Sequence, residues 1–294
     1  MKLTRYLYLA LVWFLDGLLK LKRLNRCTRI HFERYSHSPE RLDLITIAFN
    51  NEKVIEQQAR LIRKYIKGEY NYIVADNSSN KDISLKIKEF CWRNHIIYIR
   101  LPKNYLGIIS ASYSHAASLN WIYQKLIKPK EPSYFGFIDH DLFPIKEIDI
   151  TKKMGDESIY GRVVNRGDFW YLWAGLCFYR FNFVKNRQIN FLPTTVKNEY
   201  LDSGGGNWHS IYSFVDASKL TPCDTTTEQI REGNNYHSDF IQYMDNCWIH
   251  LINGSNWANK KPKNLSFLLQ KNKSKWIDKK PKEKELIDSI LMKY

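Results

Sequence analysis

Between Leu44 and Ile138 short β-branched runs alternate with stretches of helical apolar spacing, and this alternation restricts the fold more than any other feature of the chain. Leu44–Phe49 reads as a buried strand, and Tyr70–Val74, Ile96–Leu101 and Tyr134–Ile138 read as three more. Val54, Ile55, Ala59, Ile62 and Ile66 fall on one helical face, Ile83–Trp92 predicts a second helix, and Ile108–Ile127 a long third one. Strand and helix joined by short loops imply a mostly parallel sheet with helices on both faces. Ligands of such sheets gather at the carboxyl ends of the strands. Those ends carry Asn50, Asn51 and Glu52, then Asp76 and Asn77, then Asn104, then Asp139 and Asp141. Polar groups that follow each strand in turn are expected on one edge.

The fourth of these ends is the most chemically loaded. Tyr134 to Ile138 is aromatic and apolar, and Asp139, His140 and Asp141 follow at once. Two residues apart on an extended chain, Asp139 and Asp141 point to the same side. Adjacent carboxylates repel, and burying one without a partner is costly. A divalent cation removes both costs, and oxygen ligands suit Mg2+ or Mn2+. An exposed turn after a strand is the plainer account of an isolated Asp-x-Asp. Neither a Gly-x-Gly-x-x-Gly after the first strand nor a Gly-Lys-Ser/Thr phosphate loop is present, which argues against a dinucleotide Rossmann site and a P-loop.

The second half is less regular. Tyr160–Val164 and Trp170–Tyr179 predict strands around a polar turn at Asn165–Asp168. Within the second, Trp173, Ala174 and Gly175 set small residues among aromatics, which would leave room beside a ligand. Asp202 precedes Gly204, Gly205 and Gly206, a run that lets the backbone approach a ligand or simply makes a flexible loop. Asp224–Asn235 reads as a polar loop, and Trp248–Ser255 as a strand-like element carrying His250.

Of 294 residues 44% are hydrophobic and 15% aromatic, enough for a sizeable core, and the formal net charge is +15. That balance calls for an anionic partner. Five widely spaced cysteines contain no Cys-x-x-Cys pair, which disfavours a zinc ribbon and points to reduced thiols in the cytoplasm. Tyr6–Leu15 is apolar, Asp16 and Gly17 interrupt it, and Lys20, Lys22, Arg23 and Arg26 follow. The segment is too short and broken for a membrane span and fits either an interfacial helix on anionic lipid or a helix packed on its own domain. Three parts are expected: residues 1–40 with the apolar-basic helix, a domain over 41–258, and a Lys-rich helical tail over 259–294.

Taken in order, these segments resemble a GT-A type glycosyltransferase and are similar to the family 2 group that uses nucleotide-diphosphate sugars. Phe49, Asn50, Asn51 and Glu52 match the family's first strand end, and Asp76 its base-contacting Asp, although the usual Asp-Asp pair is Asp76-Asn77 here. Asn104, Gly107, Ser114 and His115 lie where the family's long helix begins. Asp139 and Asp141 match its metal motif, and Gly175–Arg180 its acceptor-side segment. The resemblance covers about residues 42 to 258. It implies a Rossmann-like GT-A fold and transfer of a sugar from a nucleotide-diphosphate donor to an acceptor hydroxyl, with inversion. Donor contacts would come from Phe49, Asn51, Glu52, Asp76, Asn77, Gly107 and Asp139. Asp139, Asp141 and a late His, matched by His250, would hold Mn2+ or Mg2+. Trp173, Gly175, Gly204 and Gly205 would lie on the acceptor side. The base would be Asp202, which lacks the family's preceding Glu, with Asp239 as the alternative. A glycan or lipid-linked acceptor would place the protein at the inner face of a membrane.

Other classes fit less well. In haloacid-dehalogenase phosphatases the Asp-x-Asp ends the first strand and a small residue stands where Phe143 is. A basic nucleic-acid-binding protein would show aromatic RNP segments or a basic recognition helix, and neither is present. A catalytically inactive GT-A scaffold stays open because of Asn77 and the missing Glu before Asp202.

Overall fold

The computed structural model describes residues 2–23, 41–229 and 240–251. Helix α1 (Lys2–Leu21) leads into β1 (Leu42–Ala48), α2 (Glu52–Tyr65), β2 (Tyr70–Asp76), α3 (Lys81–Arg93), β3 (Ile97–Arg100), α4 (Ala111–Ile122) and β4 (Tyr134–Asp139). Beyond these come β5 (Leu142–Pro144), the short helix α5 (Ile150–Met154), β6 (Ile159–Arg166) and β7 (Phe169–Arg180). The small strands β8 (Thr194–Val196), β9 (Glu199–Leu201), β10 (Thr225–Gln229), β11 (Phe240–Met244) and β12 (Trp248–His250) complete the described chain.

The main sheet has the order β3-β2-β1-β4-β7-β6. Strands β3, β2, β1 and β4 are parallel, whereas β7 runs antiparallel to β4 and β6 antiparallel to β7. Every residue of β1 is buried because both faces are covered. On one face Leu44, Tyr72 and Val74 pack with Ile55, Ala59 and Ile62 of α2 and Ile87 and Cys91 of α3. On the other Ile45, Ile47, Ile73, Phe135 and Phe137 pack with Ala116, Leu119 and Ile122 of α4 and with Val12 and Leu19 of α1. This is the mixed α/β, mostly parallel arrangement expected of a GT-A, Rossmann-like fold. At the foot of the sheet the buried Asp43 accepts from Lys130 Nζ at 2.7 and 2.8 Å and from Asn71 Nδ2 at 2.8 Å, so its charge is paired.

Two elements depart from the sequence reading. The single helix expected over Ile108–Ile127 is divided. Ser110 caps α4 by accepting from the Ser112 N–H at 3.1 Å, and Tyr123–Ile127 widens to a π-helical turn before Pro129. Proline lacks the N–H and crowds the carbonyl four residues back, and the wider turn accommodates it. The loop expected over Asp224–Asn235 begins instead as β10, an edge strand paired antiparallel with β11. Its Thr-Thr-Thr-Glu-Gln sequence has β-branched residues and no apolar alternation, so hydrophobic periodicity missed it. The tail over 259–294 lies outside the described residues.

Candidate metal and donor site

The order of the main sheet reverses at β1, which has β2 on one side and β4 on the other. Strand ends diverge at such a point and leave a crevice. A hydrogen bond spans it here: the Phe49 N–H, just beyond β1, donates to His140 Nδ1, just beyond β4, at 3.2 Å. Burial holds the His140 imidazole below its ordinary pKa against the opposing pull of Asp141 and Asp139. It is therefore a neutral ring whose Nδ1 accepts.

Asp139 and Asp141 do come to one site, by a route the spacing did not foresee. Asp139 is the last residue of β4, His140 and Asp141 form a turn, and Leu142 starts β5 in a second, antiparallel sheet of order β10-β11-β12-β5. The carboxylates converge because the chain changes sheets between them. Gln58 on α2 fixes that change. Its Nε2 donates to the Asp139 and Leu142 carbonyls, both at 2.7 Å, and its Oε1 accepts from Thr46 Oγ1 at 2.9 Å and Tyr72 OH at 2.8 Å.

His250 reaches the same point from the second sheet. β12 pairs with β5 in the register His250 to Leu142, and the Leu251 N–H donates to the Asp141 carbonyl at 2.9 Å. One ligand atom each from Asp139, Asp141 and His250 lies within 4.8 Å of the others. His250 Nε2 is 3.4 Å from Asp141 Oδ1, and His115 Nε2, from α4, is 3.2 Å from Asp139 Oδ1. Gln242 Oε1 accepts from Arg162 Nη1 at 3.1 Å and lies 3.0 Å from His250 Nδ1. An atom that accepts from a guanidinium is the amide oxygen, so His250 Nδ1 is the donor to it, and the neutral ring of that tautomer would present its Nε2 lone pair to a cation. Two carboxylates and an imidazole nitrogen with its tautomer fixed from behind fit a divalent cation such as Mn2+ or Mg2+.

The remaining expected residues divide. Asn51 caps α2, accepting from the Val54 N–H at 3.2 Å, and Glu52 begins that helix with its pKa raised by burial and then by Glu56. Asn77 Nδ2 donates to Ser114 Oγ at 3.1 Å, one residue before His115. Gly107 is exposed in a 3-10 turn. Asp76 stands at the expected strand end, but its side chain is 0% exposed. Oδ1 accepts from the Ser78 N–H, and Oδ2 from Ser84 Oγ, Tyr98 OH and Arg100 Nη1. It anchors the end of β2 and offers no oxygen to a base, which corrects that expectation.

The glycines are also reassigned. A Cβ on Gly175 would stand 2.3 Å from the Trp173 ring, so the space is taken by that indole. Trp173 in turn lies between the Arg162 guanidinium, 5.2 Å from its ring centre, and the His250 ring, 4.8 Å away. Gly204 has φ +101°, and its Cβ would meet the Leu172 carbonyl at 2.4 Å; that of Gly205 would meet Leu201 Cβ at 2.2 Å. The Gly204 and Gly206 N–H groups donate to Phe191 and Leu192 carbonyls. The run packs against the protein's own backbone and the Leu201 side chain, which take the space its Cβ atoms would need.

Asp202 precedes the glycine run in the same loop. Its N–H donates to Tyr171 OH at 3.2 Å, the Ser203 carbonyl accepts from the Ala174 N–H at 3.3 Å, and Ser203 Oγ donates to the Ser112 carbonyl at 3.2 Å. The loop is thus tied to β7 beside Trp173 and to α4 one turn before His115. Asp202 Oδ1 is buried with no hydrogen-bond partner among the described residues. Asp239 lies outside the described residues.

No protein-family model matches the chain, and no curated protein matches it. Solved structures share parts of the architecture. TarS of S. aureus is 17% identical over 52% of this chain and 30% of that one, with a TM-score of 0.35. The mannosyltransferase PcManGT from Pyrobaculum calidifontis, solved in complex with GDP-Man and Mn2+, is 11% identical over 60% of this chain and 55% of that one, at 0.37. The WbbM bifunctional glycosyltransferase in its apo form is 11% identical over 48% and 32%, at 0.31. The chain spans about a third to about half of the length of these proteins, and the likeness concerns architecture alone.

Gln58, His140, Gln242 and Arg162 are the site residues that sequence reasoning missed. A polar side chain in the middle of the apolar face of α2 was a usable signal for Gln58. The pairing of Gln242 with His250 depends on sheet register and left none.

Proposed function

We propose that the chain transfers a sugar from a nucleotide-diphosphate donor to an acceptor hydroxyl, with a divalent cation held by Asp139, Asp141 and His250. The observation that carries this reading is the convergence of those three side chains at the crevice between β1 and β4. Lewis-acid stabilisation of the departing diphosphate is the chemistry a cation supplies there. The protein's own contribution is placement. Gln58 fixes the carbonyls on either side of the metal turn, Gln242 orients His250, and His115 holds Asp139. Asn77 and the backbone after Phe49 would contribute contacts on the nucleotide side of the site. Asp202 is the proposed base: Oδ1, which has no donor among the described residues, would take the acceptor hydroxyl's proton as the hydroxyl oxygen attacks the sugar. A single displacement of this kind inverts the anomeric centre.

The test is nucleoside-diphosphate release from a panel of nucleotide sugars, with and without Mn2+ or Mg2+. Asp141→Asn should lose both release and the thermal stabilisation conferred by the metal. Asp202→Asn should keep the stabilisation and lose transfer. Release that survives in Asp141→Asn overturns the metal assignment; metal binding without turnover of any donor favours an inactive scaffold.

A further inference from the structure

Helix α1 uses one side to dock on the domain and leaves the other in solvent. Val12, Asp16 and Leu19 are buried. Tyr8 meets the Tyr113 ring edge-on at 5.9 Å, Asn120 Nδ2 donates to Asp16 Oδ1 at 3.3 Å, and Trp121 Nε1 donates to the Lys22 carbonyl at 3.0 Å. These contacts run in the same order along α1 and α4. Leu7, Leu11, Phe14, Leu18 and Leu21, spaced alternately four and three residues apart, form one continuous stripe and are each between 43% and 75% exposed. Trp13 flanks the stripe, also exposed. Near its far end the surface continues through Tyr105 and the 86% exposed Ile108, with Lys22 and Lys103 both over the Tyr105 ring. Arg23 follows α1 and is exposed, and Arg26 and Arg29 follow in the sequence.

We infer that this face of α1 docks on an anionic lipid surface, with the apolar stripe in the headgroup–acyl boundary and the basic end on lipid phosphates. No described helix is long and apolar enough to cross a membrane. A charged residue at Asp16 and a basic end are compatible with a helix lying in the interface plane. Exposed Trp and Tyr suit that boundary, where a ring has one apolar and one wet side. Charge decides between lipid and a second copy of the chain. Another copy would bring a second +15 molecule and a second basic rim to the same face, whereas anionic lipid brings the opposite sign.

The orientation that follows matters for the site. α1 and α4 run side by side from the same end, and α4 begins at Ser112, on the Asp202 loop, and His115, on Asp139. A docked α1 therefore brings the start of α4, and the Asp202 loop tied to it, close to the bilayer surface. Resting on the sugar-transfer reading, this makes a lipid-carried hydroxyl the acceptor class.

Co-sedimentation of the full chain with phosphatidylcholine vesicles, with and without phosphatidylglycerol, over a range of salt tests the docking. Binding should require the anionic lipid and weaken with salt, and Leu11→Glu/Phe14→Glu should bind at least about tenfold more weakly. Brominated lipid should quench tryptophan fluorescence in the wild type and less in Trp13→Phe. Both variants change exposed residues, and thermal unfolding checks that they remain folded. Equal binding by the stripe variant, with salt alone releasing it, would mean adsorption through charge elsewhere and overturns the proposal. So would a concentration-dependent dimer that the same substitutions abolish, with no vesicle binding. Release of nucleoside diphosphate without vesicles reports separately on the chemistry, so failure of either reading is distinguishable from failure of the other.

Discussion

Replacing Gln58 by Met tests the claim that the metal turn is built by one buried amide. The side chain is fully buried and makes four hydrogen bonds, two accepted and two donated. Met preserves the volume and removes all of them. At about 1 kcal/mol net for each bond, the loss comes to about 4 kcal/mol. For a protein of this size that lowers the melting temperature by roughly 8–16 °C. The same change frees the Asp139 and Leu142 carbonyls, so the two carboxylates lose their fixed separation. Support of this kind is typically worth about 10–100-fold in metal affinity. Thr46→Val is the control: it removes one donor to Gln58 Oε1 and leaves both bonds to the turn. It should cost about 1 kcal/mol and leave Mn2+ affinity unchanged. Chemical denaturation and calorimetric titration with Mn2+ read the two quantities. Gln58→Met with native metal affinity would refute the positioning argument even if its stability fell as expected.

Gln242→Leu removes the acceptor for the His250 Nδ1 proton, and Mn2+ affinity should fall about 10–100-fold with little loss of stability; an unchanged titration would show that the tautomer does not matter. Gly204→Ala should destabilise by about 2–4 kcal/mol in urea unfolding, since φ is +101° and the new Cβ would meet the Leu172 carbonyl; a neutral outcome would restore the ligand-approach reading of the glycine run. Asp149 caps α5. Partial burial pushes its pKa up, but bonds from Thr151 Oγ1 and from the Lys152 N–H outweigh this and leave it depressed. A depressed carboxylate stabilises the fold above its unfolded pKa and loses that contribution as pH falls through the folded value. Asp149→Ala should therefore cost about 1 kcal/mol at pH 7, and denaturation at decreasing pH should show the difference from wild type shrinking through the acid range.

The parallel half of the fold was legible because each of its strands is covered on both faces and reads as an apolar run with a polar end. The strand ends at Asn50, Asp76 and Asp139 fall where that reading places them. What it could not supply was the state of the groups there. Asp76 looks like a ligand contact in sequence, and only the positions of Ser84, Tyr98 and Arg100, set by α3 and β3, show that its oxygens are taken. The glycines mislead for a similar reason. A missing side chain signals a close approach, but sequence does not say whether the approaching group is a ligand, the Trp173 indole or the Leu172 carbonyl. β10 escaped because an edge strand needs no apolar alternation.

The second sheet explains why the site needs residues so far apart in the chain. β4 alone could place Asp139 at the crevice, but a strand continuing in the same sheet would carry Asp141 onward with it. Leaving the main sheet at His140 lets β5 pair with β12, and that pairing brings His250 to Asp141. Gln58 donates to the two carbonyl groups that flank the turn, and His115 and His250, from different elements, each lie beside one carboxylate. The carboxylates are thus held close with a basic nitrogen for each, so little rearrangement is required when a cation arrives. Substituting His115 with Leu removes the side chain that lies beside Asp139 Oδ1. On this account Mn2+ affinity falls about 10–100-fold, read by calorimetric titration. An unchanged titration would show that Asp139 does not need His115 to hold its place.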